Sequence, residues 1–67
     1  MKLFRERFKE LRKEKNLSAV QLGKILNVSD STIIRWENGL LMPRIDHLLE
    51  IVKFFNVSAG YLIGTEE

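Results

Sequence analysis

The chain holds few groups able to make or break a bond. Its 67 residues include one histidine, His47, and no cysteine. Disulfides, thiolate zinc sites and cysteine nucleophiles are therefore excluded, and the redox compartment is left open. No second histidine stands at ligand spacing from His47, so no metal site is expected. Ser31, Asp46 and His47 are the side-chain types of a nucleophilic triad, yet nothing in the sequence orients one on another. A glycine-rich phosphate loop is also missing. Accordingly no catalytic residue, cofactor or small-molecule site is assigned, and an enzyme is not expected. What remains is recognition chemistry. Asp30, Ser31, Ile34 and Arg35 bring a carboxylate, a hydroxyl, an aliphatic group and a guanidinium into one short stretch.

Composition says what kind of chain must carry these groups. A hydrophobic content of 45% and a charged content of 30% are ordinary for a globule and argue against disorder. A chain of this length buries roughly 60% of its unfolded surface, so residues 1–67 are expected to form one small domain with a thin core. No apolar run approaches the ~20 residues of a membrane span, and Met1 to Lys15 is too charged for a signal peptide. A cytoplasmic location is the simplest expectation. The net charge of +2 is unevenly spread. Seven cations against three acids give the first fifteen residues +4, while four cations against six acids leave the rest at −2. This permits a polyanionic partner, the alternative being a solvated helix face.

The elements are short helices. No alternating strand pattern and no repeat of solenoid length is present. Instead one start signal recurs: Leu17-Ser18 before Leu22, Val28-Ser29 before Ile33, and Val57-Ser58 before Leu62. Each pairs an N-capping serine with a hydrophobic staple, and Gln21 completes a capping box with Ser18. Gly39, Gly64 and Asn27 suit left-handed helix ends, and Pro43 blocks continuation of the third helix. The spacing predicts helices at about 2–15, 18–26, 29–38, 45–55 and 58–63. Phe4, Phe8 and Leu11 stripe the first, with Glu6–Lys9 and Glu10–Lys13 as outward pairs. Ile45, Leu48, Leu49, Val52 and Phe55 stripe the fourth. Helices this short hold shape only by packing together, which predicts an all-α, compact five-helix bundle.

Within it, Ala19 to Asn38 has the layout of a helix-turn-helix. Leu22 and Leu26 lie on one helix face, Ile33 and Trp36 on the next, and Val28 plugs the angle between them. Gly23 has no side chain where the two helices approach. Its helix-propensity cost of about 1 kcal/mol relative to Ala points to close packing there.

The run Leu17-Ser18, Leu22-Gly23, Leu26-Asn27-Val28-Ser29, Ser31-Thr32-Ile33 and Arg35-Trp36-Glu37-Asn38-Gly39 resembles the lambda-repressor-like helix-turn-helix family of Cro and cI type, also called the XRE family. The tail from Ile45 through Asn56-Val57-Ser58 to Tyr61-Leu62 is similar to that family's fourth and fifth helices. The resemblance extends from about Phe4 to Leu62. It implies a sequence-specific DNA-binding domain of a transcriptional regulator, expected to be a repressor, acting as a homodimer on a double-stranded operator.

On that reading the third helix, a rod about 15 Å long, enters the ~12 Å major groove with its N-terminal turns facing base edges. Arg35 is the strongest base-reading candidate, because a guanidinium grips guanine O6 and N7 bidentately. The alternative is a surface or phosphate-bound arginine. Ser31 suits a base or a phosphate, and Ile34 a thymine methyl or plain solvent. Asp30 complements the positive helix end. Near DNA, it either accepts from a cytosine amino group or weakens binding. Free N–H groups at Ser18 suit a phosphate oxygen. Asn38 and Arg44 match family positions that hold the DNA backbone. Lys24 is either a phosphate contact or solvated surface. Arg12 and Glu37 match a family ion pair tying the first helix to the end of the third, and Arg12 is also a phosphate candidate.

Three departures from the family bear on this. Ala19 replaces a frequent DNA-contacting glutamine. Leu40, Leu41 and Met42 replace a commonly polar loop, with Met42 expected inside the core. Leu40 and Leu41 are expected either as a dimer or partner patch or folded back onto Trp36 or the fourth helix. With Asp30, these departures motivate a rival reading: a protein-interaction module that keeps the fold with weakened DNA readout.

Overall fold

The structure, a computed structural model, describes residues 2–65, with the Lys2 side chain outside that description. The charges counted on Lys2, Glu66 and Glu67 thus lie outside the described residues. Five helices follow one another: α1 (Lys2–Glu14), α2 (Ala19–Leu26), α3 (Asp30–Glu37), α4 (Ile45–Phe55) and α5 (Ala59–Ile63). No strand occurs among the described residues. Each segment expected to begin on a serine begins one residue later, because Ser18, Ser29 and Ser58 sit in extended backbone as N-caps. Similarly Lys15 falls in the turn after α1, and Asn38 is the C-cap of α3.

Three of the four joints use one device. Asn16, Asn27 and Asn56 adopt the left-handed conformation, with φ of 57°, 62° and 57°. An apolar residue and the capping serine follow each of them. The serine oxygens accept the amides of Gln21, Thr32 and Tyr61 at 3.0, 3.1 and 3.0 Å. Asparagine tolerates this backbone because its short polar side chain bonds locally. Gln21 Oε1 accepts the Ser18 amide at 2.8 Å, closing the capping box. The fourth joint ends α3 differently. Gly39 takes φ 74°; its amide donates to the Trp36 carbonyl and that of Leu40 to the Arg35 carbonyl, at 3.3 and 3.0 Å. This is the double hydrogen bond of a Schellman end.

The core gathers one or two residues from every helix: Phe4, Phe8, Leu22, Leu26, Ile33, Trp36, Ile51, Phe55 and Leu62. Phe8 is its hub. Its ring stacks on Phe4 at 5.5 Å between centroids and meets the rings of Trp36 and Phe55 edge-on at 5.8 and 6.3 Å. Arg7 ties α1 to α5, lying 4.3 Å over the Tyr61 ring and donating to the Tyr61 carbonyl.

The fourth helix corrects the sequence reading. Ile51 is fully buried, while Ile45 and Leu49, expected on the inner stripe, are 72% and 54% exposed. Leu48, Ile51, Val52 and Phe55 form the inner face instead. Met42, expected inside, is 47% exposed, because the loop after Gly39 runs over the surface, where Pro43 alone is half-buried. Glu6–Lys9 and Glu10–Lys13 are not among the ion pairs formed by the described residues.

Candidate nucleic-acid interface

The angle between α2 and α3 is set at Gly23. A Cβ built there would lie 2.7 Å from the Val28 carbonyl oxygen and 3.4 Å from the Asp30 amide. The turn backbone therefore occupies the space of a side chain, and the Gly23 carbonyl accepts the Val28 amide at 2.8 Å. Sequence reasoning expected close approach of the next helix at this glycine; the contact is with the turn and the first residue of that helix.

From behind, α3 is fixed by Ile33, Trp36 and Glu37, all buried. Its other face is a stripe of Asp30, Ser31, Ile34, Arg35 and the capping Asn38, all exposed. None of the first four makes a side-chain hydrogen bond or ion pair within the described residues. Thr32, beside them, is turned back toward Ser29, with the two hydroxyl oxygens 2.9 Å apart. A rigid helix thus presents charge, hydroxyl and aliphatic groups outward. This is the arrangement a protein needs to read the edges of bases in a groove.

One ion pair locks the base of this helix. Arg12 Nε and Nη2 donate to the two Glu37 oxygens at 2.6 and 3.1 Å, and Nη1 donates to the Leu17 carbonyl at 2.8 Å. The side chains are only 15% and 5% exposed. A single guanidinium therefore joins α1, the approach to α2 and the end of α3. The hydrogen bond to Glu37, then its charge, raise the Arg12 pKa above the ordinary arginine value, outweighing burial. Arg12 stays charged wherever the protein is folded.

The remaining expected contacts flank the stripe. At Ser18 the amide is taken by Gln21, so the first-turn donors left open are the amides of Ala19 and Val20. Lys24 is exposed on α2. Arg44, the N-cap of α4, makes no side-chain capping bond and lies 3.5 Å from Asp46 in a well-exposed pair. Leu40 projects into solvent at 76% exposure, while Leu41 and Met42 border a small cleft with Trp36, Pro43, Arg44 and His47. His47 packs against the Trp36 indole, centroids 5.5 Å apart. Among the described residues no three His, Cys, Asp or Glu side chains cluster as metal ligands.

Sequence reasoning passed over Arg5, which lies against Gly39 at the end of α3. The available signal was its spacing of seven residues from Arg12, which puts both on one helix face.

Comparison with known proteins agrees with this geometry. Residues 8–62 match the family described as Helix-turn-helix. The chain belongs to this family, in its Cro/cI (XRE) branch. It is 41% identical over 64 residues to the HTH-type transcriptional activator BcrR of Enterococcus faecalis, covering 96% of this chain and 31% of the activator. It is 31% identical to the HTH-type transcriptional regulator AnsR of Bacillus subtilis (strain 168), covering 92% of this chain and 53% of the regulator. The HTH-type transcriptional regulator ImmR of the same organism is 29% identical over 92% of this chain and 49% of its own length. The chain thus spans 31% to 53% of the length of these relatives. Among solved structures, the P22 c2 repressor in complex with synthetic operator 9T superposes with a TM-score of 0.85 at 32% identity, covering 92% of this chain and 94% of the chain in that structure. The five-helix bundle is a lambda-repressor-like fold.

Proposed function

We propose that this chain is the DNA-reading domain of a transcriptional regulator, working in the cytoplasm as a homodimer on a double-stranded operator. The observation that carries the reading is the unpaired, exposed stripe of α3, held from behind by Ile33, Trp36 and Glu37. Arg35, Ser31, Asp30 and Ile34 meet base edges in the major groove. Ser18 with the open amides after it, Asn38, Arg44, Lys24 and Arg12 hold backbone phosphates. The exposed Leu40 and Leu41 supply the dimer contact. Of the similar proteins, BcrR is named an activator and P22 c2 a repressor. The interaction-module reading is not favoured, because the relatives are transcriptional regulators and the structural neighbour stands on an operator.

The test has two parts. Random duplex DNA titrated at several salt concentrations is expected to give a slope of several in log K against log[salt], the signature of phosphate neutralisation. Selection from a random oligonucleotide pool is expected to return a short site with inverted half-sites. Absence of binding at low salt would overturn the reading.

A further inference from the structure

We infer that Arg5 is a further contact to the DNA backbone, holding a phosphodiester beyond the C-terminal end of α3. The inference rests on the DNA-binding reading above and adds a residue to it. An ideal Cβ at Gly39 would lie 2.7 Å from Arg5 Nη1 and 3.1 Å from its Cδ. The arginine therefore lies over the left-handed residue where α3 ends, next to the exposed Asn38. Arg5, Phe8 and Arg12 share one face of α1, three and seven residues apart. That face runs along the C-terminal half of α3, with Arg5 on Gly39, Phe8 on the Trp36 ring and Arg12 on Glu37.

The two arginines at the ends of this contact are employed differently. Arg12 is neutralised by Glu37, mostly buried, and has three of its five N–H donors engaged, two by Glu37 and one by the Leu17 carbonyl. Arg5 is exposed, forms no ion pair with a described carboxylate, and donates to no described acceptor. A guanidinium with its donors unengaged, fixed at the edge of a DNA-reading helix, is chemically matched to a phosphate oxygen. The competing role, capping the negative end of α3, is filled by backbone amides at three of its last four carbonyls. The carbonyls of Ile34, Arg35 and Trp36 accept the amides of Asn38, Leu40 and Gly39.

The experiment compares the full chain with Arg5→Gln, Arg5→Lys and Lys9→Gln, the last removing an exposed charge from the same helix. Each is titrated with a selected operator and with random duplex over a range of salt, alongside thermal unfolding. A true phosphate contact makes the salt slope of Arg5→Gln shallower by about one on both DNAs. Arg5→Lys then keeps the slope, Lys9→Gln leaves it unchanged, and the melting temperatures agree. If Arg5→Gln and Lys9→Gln have the same slope, the inference is overturned while the DNA-binding reading stands. A lowered melting temperature with an unaltered slope also overturns it and assigns Arg5 to capping. A wild-type chain that binds neither DNA overturns both.

Discussion

At the scale of single residues, the proposed interface separates into groups expected to specify and groups expected to interfere. Arg35 stands on the exposed face, one position before the buried Trp36, so its removal leaves the packing alone. Arg35→Ala is expected to lower affinity for a selected operator by about 1–3 kcal/mol without lowering the melting temperature. Equal operator affinity of the two proteins would contradict its base-reading role. Asp30 occupies the first position of α3, where a carboxylate complements the helix end by roughly 0.3–1 kcal/mol. In the proposed docking the same charge is brought close to the phosphates that flank the groove. Asp30→Asn is expected to tighten binding to random duplex at low salt and to reduce stability slightly. Weaker or unchanged non-specific binding would show that the carboxylate does not oppose DNA. These roles follow from side-chain type and exposure, and the types were legible in the sequence. Exposure was legible for α3 because Ile33 and Trp36 define its inner side at helical spacing. It was not legible for Ile45 and Leu49. The run from Leu48 to Phe55 is so apolar that periodicity alone selects no face, and the neighbouring helices decide which residues enter the core.

Elements are connected here by local chemistry, which explains how much of the fold could be read from the sequence. The capping serines and their staples lie within four or five residues of their partners, so their signals survive in the primary structure. The asparagines before them are half of the same joint. Asn27 stood out between two apolar residues; Asn56, between Phe55 and Val57, carries the same signal and went unread, whereas Asn16 follows Lys15 and lacks it. All three take the left-handed turn. Long-range ties are harder to see, and the Arg12–Glu37 pair was suggested only by family resemblance. Its geometry yields a prediction at this scale. Both side chains are mostly buried and joined by two hydrogen bonds, so removing one partner strands the other. Glu37→Ala is expected to destabilise the protein by about 3–5 kcal/mol, read by denaturant unfolding. A double-mutant cycle with Arg12→Ala is expected to show strong coupling, and additive losses would argue against the pair as the lock.

For the whole molecule, size limits what one copy can do. The Cα trace measures 29 × 23 × 21 Å, less than the ~34 Å between successive major grooves on one side of DNA. One copy therefore reaches a single groove face, and two are needed to read two half-sites. Leu40, at 76% exposure, with Leu41, Ile45 and Leu49 nearby in sequence and also exposed, offers apolar surface for the proposed second copy. A selected operator is expected to bind two chains, and Leu40→Glu to weaken that complex while leaving affinity for an isolated half-site unchanged. A one-to-one complex on the full site, measured by sedimentation, would rule the dimer out.

The backbone oxygen lodged against Gly23 has a consequence for how such a chain diversifies. Because the turn and the inner side chains set the pose of α3, positions 31, 34 and 35 are relieved of architectural duty, and position 30 carries only a small helix-end contribution. Their alphabet can change freely while the frame stays still, so descendants of this chain can acquire new genomic addresses without first losing their shape.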